Sequence, residues 1–403
     1  MIGNMVAYGF ILLVSLVLAV TVQEYYTLAA LIVILIMPLI LVSVNIIASR
    51  FVKGEMKKDA FRHIVGDKVQ VSIALTNGSI IPFQKIRLVL EVEDSMGMKN
   101  KHQICTNLSA LEEKEVVIHF ESETAIGGYV TFKKMYFYDF LDFTVIPKKP
   151  ENSGNVSFFG VFPKVLTCNI KYANRMDIGI SENDKYSTHK TGNDRSEIFG
   201  IREYVSGDTI RDIHWNLSLK KDELIVKEFS RPLEDKITVI FDTAVYKDNK
   251  NRYKLLAKYY EYAHALCETL ISNGVTYTIM VYNSKYRGFM EYGIDTSEQV
   301  YILIEMLLRQ KLETTYRNPY GYKSKEIEEE KLEGNIIYVS TGIDHKFISY
   351  LSGIDTVNKI YTVCIGKGED FEKEAKAAAI GAGCIYISVG AEEDLEQVEP
   401  IEL

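Results

Sequence analysis

Hydrophobic residues fill the first fifty positions almost without interruption. Two apolar runs, Met5–Val22 and Thr27–Ile47, flank Glu24, which is the only Asp, Glu, Lys or Arg among the first 49 residues. Each run approaches the roughly 20 residues that an α-helix needs to cross the hydrocarbon of a bilayer. The pattern predicts a transmembrane hairpin over residues 1–50. A cleaved signal peptide is the alternative for the first run, but the basic segment and the cleavage pattern of such a peptide are missing.

Positive charges follow the second apolar run, and none precedes the first. Because Lys and Arg are enriched in cytoplasmic loops, both termini and the soluble domains are expected on the cytoplasmic side of a cell membrane. Pro38 within the second run predicts a kink, because proline frees a backbone carbonyl of the preceding turn. That carbonyl needs a donor from the neighbouring helix or from a hydroxyl such as Ser43. The residues that set the orientation are Arg50, Lys53, Lys57, Lys58 and Arg62.

Between residues 59 and 165 the hydrophobic positions recur with a period of two. In "DKVQVSIALTNGS", every second residue from Val69 to Leu75 is apolar, and the run ends on Asn-Gly, a strong turn dipeptide. The stretches "KIRLVLEVED", "EVVIHFES" and "GGYVTFKKMYFYDF" repeat the pattern. The segment therefore predicts a β-sandwich of about seven short strands.

The period changes again in the last part of the chain, residues 235–403. "KITVIFD" is almost continuously apolar, which is typical of a strand that is covered on both faces, and a long amphipathic helix follows it. Strands and helices then alternate as far as "CIYISVG". The order predicts an α/β doubly wound domain with a parallel sheet. The charged stretch "RNPYGYKSKEIEEEKLEG" is expected to be a solvated surface segment.

Composition narrows the function classes. The chain has 403 residues and a formal net charge of -8, which argues against nucleic-acid binding through global charge. Its five cysteines stand at wide spacings without a CxxC pair, which suits a reducing compartment and argues against a structural zinc site or a disulfide framework. They are Cys105, Cys168, Cys267, Cys364 and Cys384.

A segment between the two predicted domains, residues 190–230, carries a distinctive motif. After "VFPKV" at 161–165, the chain reads "GNDRSEIFGIREYVSGDTIRDIHWNLSLKKDELIVKEF" from Gly192 to Phe229. This stretch resembles the signature of the bacterial family called "domain of unknown function 58", with Phe-Gly-x-Arg-Glu-Tyr followed by Gly-Asp-x-x-Arg-x-Ile-His-Trp. The chain departs from the family at "YDFLDF" (138–143), where members often have Asp-Pro-x-Gly-Leu.

The resemblance implies an architecture and a class of partner. Members of the family have paired N-terminal spans, a β-module and a C-terminal domain that is similar to the von Willebrand factor A fold. They are commonly encoded beside MoxR-type AAA+ ATPases, and some beside transglutaminase-like membrane proteins. Residues 235–403 are therefore expected to form a von Willebrand A-like domain, and a protein of one of these classes is the expected partner.

The resemblance also raises the question of a metal site. The von Willebrand A fold often binds Mg²⁺ through Asp-x-Ser-x-Ser after its first strand, because Mg²⁺ prefers convergent oxygen ligands. Here that strand ends in "FDTAVY", where Asp242 is kept and Ala244 and Tyr246 replace the serines. Ser340 and Thr296 are weak further candidates, and Thr296 also suits a helix N-cap. No metal and no cofactor are expected.

Local structure in the signature segment is predicted from its helix signals. Asp208 is placed as the N-cap of a helix from Thr209 to about Lys220. Ile210, Ile213 and Leu217 would form its apolar face, and Arg211, His214 and Ser218 would lie along its flank. Arg202, Glu203 and Tyr204 belong to an extended segment, so their side chains point to alternate sides.

Three interpretations of the signature residues are open. They form a polar clamp between the two domains, with Arg202 or Arg211 paired with Glu203 or Asp208 and Trp215 in a hydrophobic bed. They form a catalytic site in which His, Asp and Tyr supply an acid, a base and a nucleophile. They form a docking surface, since Arg and Trp anchor interfaces. The residues concerned are Arg202, Glu203, Tyr204, Gly207, Asp208, Arg211, His214 and Trp215.

Two hypotheses of function follow. The favoured one is a non-enzymatic, membrane-anchored scaffold or adaptor whose α/β domain binds a protein partner at the C-terminal ends of its strands. The alternative is a hydrolase or metal-dependent enzyme that uses the cluster of Asp208, Arg211 and His214, or Asp242.

Overall fold

The chain separates into two compact units, each described here by itself. The first is Met1–Lys164 with Glu305–Lys311, and the second is Val165–Ile304 with Leu312–Leu403. Gly207, Ala244, Tyr246 and most of the charged stretch 317–334 lie outside the described residues. The computed structural model describes residues 2–22, 24–57, 61–150, 155–171, 186–192, 194–205, 208–221, 223–232, 236–242, 250–283, 288–310, 332, 334–342 and 345–403.

Two apolar helices open the first unit, α1 (Ile2–Val22) and α2 (Tyr25–Arg50). Both are long and apolar enough to cross a membrane, and they pack against each other. Most of their side chains are exposed, as expected of helices that have lipid rather than protein as their surroundings. The helices confirm the predicted pair of apolar helical segments.

Pro38 lies inside α2, and the donor for the carbonyl that it frees comes from the other helix. Ile34 stands four residues before the proline, and its carbonyl accepts a hydrogen bond from the hydroxyl of Tyr8 on α1. The prediction of a donor on the neighbouring helix is therefore confirmed. Ser43 is not that donor, because its hydroxyl donates to the carbonyl of Leu39 at 2.7 Å.

A β-rich domain follows the hairpin and contains two sheets. The strands are β1 (Val52–Met56), β2 (Phe61–Ile64), β3 (Lys68–Asn77), β4 (Phe83–Asp94), β5 (Lys99–Leu108), β6 (Glu113–Glu121), β7 (Ile126–Tyr138), β8 (Val145–Lys148) and β9 (Val156–Phe162). One sheet has the order β1-β3-β6, and the other has the order β2-β9-β7-β4-β5, with β8 paired to β7. All of these pairings are antiparallel except β2 with β9.

The predicted period of two produces the core of this domain. Alternate residues of both sheets are buried in one apolar cluster, so the sheets pack face to face as a sandwich. The described residues of this domain form nine strands where about seven were expected, and the first begins at Val52, before the predicted start at residue 59. The buried strand residues include Val69, Val71, Ile73, Leu75, Ile86, Leu88, Leu90, Val130, Phe132 and Phe137.

A lysine of the sandwich binds the end of the second apolar helix. The Lys148 ammonium, on β8, donates hydrogen bonds to the carbonyls of Ser49 at 3.2 Å, Arg50 at 2.9 Å and Val52 at 2.8 Å. The last carbonyls of a helix have no donor within the helix, and a positive charge there also opposes the negative end of the helix dipole. Lys148 thus caps α2 and attaches it to the sandwich.

The second unit begins with short elements that include the signature segment. The elements are β10 (Ile170–Lys171), β11 (Tyr186–Gly192), β12 (Asp194–Glu203), α3 (Trp215–Lys221) and β13 (Ile225–Pro232). A three-stranded antiparallel sheet has the order β11-β13-β12. The separate two-residue strand β10 pairs in parallel with the last described strand, Ile401–Glu402.

The rest of the chain alternates strands and helices, as predicted. The elements are β14 (Ile237–Asp242), α4 (Arg252–Ser272), β15 (Tyr277–Asn283), β16 (Gly288–Gly293), α5 (Ser297–Arg309), β17 (Gly334–Ser340), α6 (His345–Ser352), β18 (Val357–Ile365), α7 (Glu372–Gly381), β19 (Ile385–Val389) and β20 (Ile401–Glu402). The six-stranded sheet has the order β16-β15-β14-β17-β18-β19.

Helices cover both faces of this sheet. Ile240 of β14 lies in an apolar cluster with residues of α6 and α7, among them Phe347 and Ala379. The next residue, Phe241, contacts the ring of Tyr259 on α4 with centroids 6.3 Å apart. Because successive residues of a strand point to opposite faces, α4 lies on one face and α6 and α7 on the other.

The sheet differs from the sequence expectation in two ways. It is mixed rather than parallel, because β16 pairs antiparallel with β15 at one edge. Helix α6 was not predicted, and its eight residues separate β17 from β18. Short elements of this kind carry too few residues to show a clear period.

Replacing Lys148 by Met should destabilise the first unit, because three carbonyls would lose an ammonium donor. We expect the free energy of unfolding to fall by about 1–3 kcal/mol, the range for hydrogen bonds that involve a charged group. Chemical denaturation of the detergent-solubilised chain, followed by circular dichroism, measures the change. Lys149→Met at the exposed neighbouring position is the control, and an equal loss in both variants would contradict the capping role.

Candidate functional site

The signature residues lie on four consecutive elements of the second unit. Strand β12 pairs antiparallel with β13, a 3₁₀ turn covers Ile210–Asp212, and α3 follows it. A β-bridge joins Ile213 to Val226, so the turn is fixed to β13. Along this path lie Arg202 and Glu203 at the end of β12, Tyr204 after it, Asp208 before the turn, Arg211 within it, His214 after it, and Trp215 at the start of α3.

Arg202 and Asp208 form a two-pronged polar contact within the segment. The two guanidinium nitrogens Nη1 and Nη2 each lie 2.7 Å from a different carboxylate oxygen of Asp208. Asp208 also accepts a hydrogen bond of 2.8 Å from the backbone N–H of Val205. The predicted fork pairing of Arg202 with Asp208 is therefore present, a geometry that lysine cannot provide.

The local structure after Asp208 differs from the prediction. The long helix from Thr209 to about Lys220 was wrong, because the chain forms a 3₁₀ turn, an extended Ile213 and then the separate helix α3. Asp208 is not an N-cap, since Arg202 and the N–H of Val205 occupy its carboxylate. The sequence expectation missed the competition between a guanidinium and the backbone for the same oxygens.

Ser218 connects α3 to β13, a role that the sequence did not reveal. Its buried hydroxyl donates to the carbonyl of His214 at 3.1 Å and accepts from the N–H of Ile225 at 2.9 Å. The backbone N–H of His214 donates to the carbonyl of Ile225 at 2.8 Å. His214 thus contributes its backbone to a compact junction that positions the start of α3.

Trp215 is exposed, which contradicts the predicted hydrophobic bed. Its side chain is 54% exposed at the first position of α3. Leu219, one turn later on the same helix, is 81% exposed. We call the exposed large apolar residues of this segment the signature surface, and they are Ile201, Val205, Ile210, Trp215, Leu219 and Leu224.

The arrangement does not assemble an acid, a base and a nucleophile. The guanidinium of Arg202, and then the N–H of Val205, hold the pKa of the Asp208 carboxyl at about 2, so it is a poor proton acceptor near neutral pH. Within the described part of the chain, no hydrogen bond reaches the imidazole of His214. Arg211 is exposed on the 3₁₀ turn.

A second candidate site lies where the strand order of the large sheet reverses. Asp242 and Ser340 are register partners at the C-terminal ends of β14 and β17. The fully buried Asp242 carboxylate accepts a hydrogen bond of 2.8 Å from the hydroxyl of Tyr338. The hydroxyl of Ser340 is engaged with the backbone N–H and carbonyl of Gly342. Both predicted residues are brought together here, while Tyr338 was not singled out from the sequence.

These residues do not fit an open Mg²⁺ site, which needs accessible oxygens and several waters. Asp242 and Ser340 are buried and bound to protein groups. Thr296 and Gln299 form a capping box at the start of α5, with the Gln299 amide oxygen 3.2 Å from the Thr296 N–H. Among the residues that the structure describes, no group of three His, Cys, Asp or Glu is placed to bind a metal. The expectation of no bound metal stays a prediction.

Comparisons with known proteins add little to this picture. No known family model matches the chain, and no curated protein matches it in sequence. The CARDB domain of a Pyrococcus furiosus protein is similar over 28% of this chain and 91% of that chain, at 13% identity and a TM-score of 0.19. A family 123 glycoside hydrolase from Clostridium perfringens is similar over 84% of this chain and 72% of that chain, at 9% identity and a TM-score of 0.18. TM-scores this low carry no argument about fold or function.

The Arg202–Asp208 pair predicts a pH dependence of stability. Because the folded state lowers the pKa of Asp208 to about 2, the ionised form contributes stability above about pH 4 and loses it as pH falls towards 2. We expect the thermal midpoint of the wild type to exceed that of Asp208→Asn near neutral pH. The difference should shrink on acidification. Arg202→Gln should behave like Asp208→Asn, and a difference that is constant across this range would contradict the pairing.

Proposed function

We propose that this protein is a non-enzymatic adaptor, anchored in the membrane by α1 and α2, that binds a protein partner through the signature surface. The exposed Trp215 carries the proposal. A large aromatic side chain has a higher free energy when exposed to water than when buried. Monomeric proteins seldom expose large apolar patches. Tryptophan and arginine are also the residue types that dominate binding energy at interfaces.

The polar surroundings of the signature surface suit an interface as well. Arg202, Arg211, Lys220 and Lys221 all stand in the same segment and are exposed. Interfaces combine an apolar centre with a charged rim, and the rim steers association more than it adds affinity. A partner with an acidic rim is therefore favoured, and binding should weaken as the salt concentration rises.

The large sheet supports a more specific assignment. Numbered from β14 to β19, its strands follow the order 3-2-1-4-5-6 with an antiparallel third strand at the edge. This order agrees with a von Willebrand A type of domain, and we propose that assignment. In open α/β sheets, ligands bind beyond the carboxyl ends of the strands where the order reverses. The ends of β14 and β17 are thus a second contact region for the partner.

Resemblance of residues 192–229 to the "domain of unknown function 58" signature supports one class of partner. We propose a MoxR-type AAA+ ATPase, with a transglutaminase-like membrane protein as a further component of the assembly. The soluble units then lie on the cytoplasmic side, where ATP is available to an ATPase. The positive residues after α2, from Arg50 to Lys57, support this orientation.

The enzyme alternative has less support from the geometry. It requires Asp208, Arg211 and His214 to converge on one substrate, or Asp242 to be accessible. Asp208 is bound by Arg202, and Asp242 is fully buried against Tyr338. Loss of a measurable turnover in a stably folded His214→Gln variant would favour the enzyme over the adaptor.

Trp215→Ala tests the adaptor directly. Because the side chain is exposed, we expect stability to change by no more than about 0.5 kcal/mol. Affinity for a MoxR-type AAA+ ATPase should fall about tenfold or more, which corresponds to about 1.4 kcal/mol. Isothermal titration calorimetry measures the affinity. The matched control is Ile380→Ala, an exposed apolar residue on α7. Unchanged affinity in Trp215→Ala would rule out the signature surface as the docking site.

Chelation tests the expectation that partner binding needs no metal in this chain. We expect equal affinity in Mg²⁺ and in EDTA, measured without nucleotide so that the metal requirement of the ATPase does not enter. A tenfold loss in EDTA, about 1.4 kcal/mol, would show that a metal takes part. The Asp242→Asn variant keeps an oxygen acceptor for the Tyr338 hydroxyl but removes the negative charge. It therefore tests whether a loss of affinity in EDTA arises at Asp242. An EDTA effect that disappears in this variant would place the metal at Asp242.

A further inference from the structure

The turn between β7 and β8 is held rigidly by one carboxylate. Asp139 accepts hydrogen bonds from the N–H groups of Leu141 at 3.1 Å, Phe143 at 2.8 Å and Thr144 at 2.9 Å, and from the Thr144 hydroxyl at 2.7 Å. Asp142 has a φ of 55°, a conformation that side chains other than glycine adopt rarely. The conformation of residues 139–144, which we call the β7–β8 turn, is therefore strongly determined.

The β7–β8 turn lies against the first two turns of the apolar helix α1. The side-chain amide of Asn4 donates to the carbonyl of Leu141 at 3.0 Å. The rings of Tyr8 and Phe143 meet edge to face with centroids 5.0 Å apart. Residues 4–8 lie within roughly 10 Å of the start of α1, since a helix rises 1.5 Å per residue. If α1 crosses a bilayer, the first turn of the helix with Asn4 lies at the interface between headgroups and acyl chains, and Tyr8 lies one turn deeper.

The side chain of Phe140, in this turn, is mostly exposed. Its side chain is 64% exposed, although both neighbouring positions are partly or fully buried. The same end of the sandwich carries further exposed apolar residues. Strand pairing places the turns after β3 and β5 at this end, because Phe83 pairs with Leu108 and Ile86 with Phe137. The exposed residues there are Phe51, Ile80 and Leu111.

Basic and aromatic side chains stand beside the β7–β8 turn. The Lys85 ammonium lies 3.2 Å from the Asp142 carboxylate and 4.3 Å from the centre of the Tyr138 ring. The guanidinium of Arg87 lies over the rings of Tyr136 and Tyr138, at 4.8 and 5.5 Å. Tyrosine, lysine and arginine are the residues that collect at the headgroup level of membranes, where phosphate attracts the positive charges.

We propose that this end of the β-sandwich contacts the bilayer, with Phe140 inserted at the boundary between headgroups and acyl chains. The inference rests on the proposed function in one respect, that α1 and α2 span a membrane. The partner is a phospholipid surface, because the turn contacts the start of the apolar helix α1 and exposes Phe140 beside it. The sandwich then adds a third membrane contact and holds the domain in one orientation.

Depth-dependent fluorescence quenching tests this contact in the full-length protein. The chain has one tryptophan, so Trp215→Phe gives a dark background, to which Phe140→Trp is added. The protein is reconstituted in vesicles of phosphatidylcholine and phosphatidylglycerol that contain a doxyl lipid, labelled either near the headgroup or deep in the acyl chain. We expect the shallow label to quench emission about twofold or more, and the deep label to quench less, because an interfacial side chain lies about 5–10 Å into the boundary.

Two matched variants separate the possible outcomes. Met98→Trp, in the exposed turn after β4 at the opposite end of the sandwich, should show no lipid quenching. Phe10→Trp, exposed on α1, should be quenched more by the deep label than Phe140→Trp is. If Phe10→Trp is not quenched, the membrane anchor of the proposed function fails. If Phe10→Trp is quenched and Phe140→Trp responds only to aqueous iodide, the anchor stands and the bilayer contact is refuted.

One further result would overturn the proposal in favour of a protein contact. The iodide response of Phe140→Trp would then persist in vesicles alone and disappear when the AAA+ ATPase is added. The conservative exchange of one aromatic ring for another leaves the hydrogen bonds of Asp139 intact. Circular dichroism of each variant checks that the sandwich is folded before the quenching is measured.

Discussion

The attachment of α2 to the sandwich is the interaction on which the first unit depends. A helix that leaves an apolar phase ends with carbonyls that lack donors within the helix. These carbonyls need donors from the structure that follows. Lys148 supplies one ammonium to the carbonyls of Ser49 and Arg50 at the end of α2 and to the carbonyl of Val52 at the start of β1, and its own strand β8 belongs to the sandwich. The helix end and the first strand are therefore fixed by the same side chain. The buried positions of Asn45, Ala48 and Ser49 show that the last turns of α2 already belong to the domain.

Hydrophobic periodicity predicted most of the fold because burial and period are directly related. The two apolar runs became α1 and α2, the period of two became the sandwich, and the apolar "KITVIFD" became the central strand β14. The elements that were missed are those for which the period carries little information. Strand β16 is a six-residue edge strand with partly exposed positions, and α6 has eight residues. Their positions are decided by pairing with distant parts of the chain, which no local pattern records.

In the candidate site, the contact between Arg202 and Asp208 was predicted, but the environment of Trp215 was not. The motif singled out Arg202, Asp208, His214 and Trp215, and the fork between Arg202 and Asp208 follows from their chemistry. The predicted helix from Thr209 was wrong, because the Asp208 carboxylate can either cap a helix or pair with a guanidinium. In the structure it pairs with Arg202. Burial of Trp215 was inferred from residue type alone, and type does not determine which face of a short helix meets solvent. Ser218 is the opposite case. This polar residue is buried, and its hydroxyl accepts a hydrogen bond from the N–H of Ile225 on β13.

The hydrogen bond from Tyr8 to Ile34 has a consequence for how the chain is made. Proline at position 38 leaves a polar carbonyl in the middle of an apolar helix, and an unsatisfied carbonyl in hydrocarbon costs several kcal/mol. The group that satisfies it lies on α1, which leaves the ribosome before α2 does. If the hairpin spans a membrane, as proposed, the Ile34 carbonyl is satisfied only when α1 lies beside α2. The order of the two helices along the chain therefore places the donor ahead of its acceptor during synthesis.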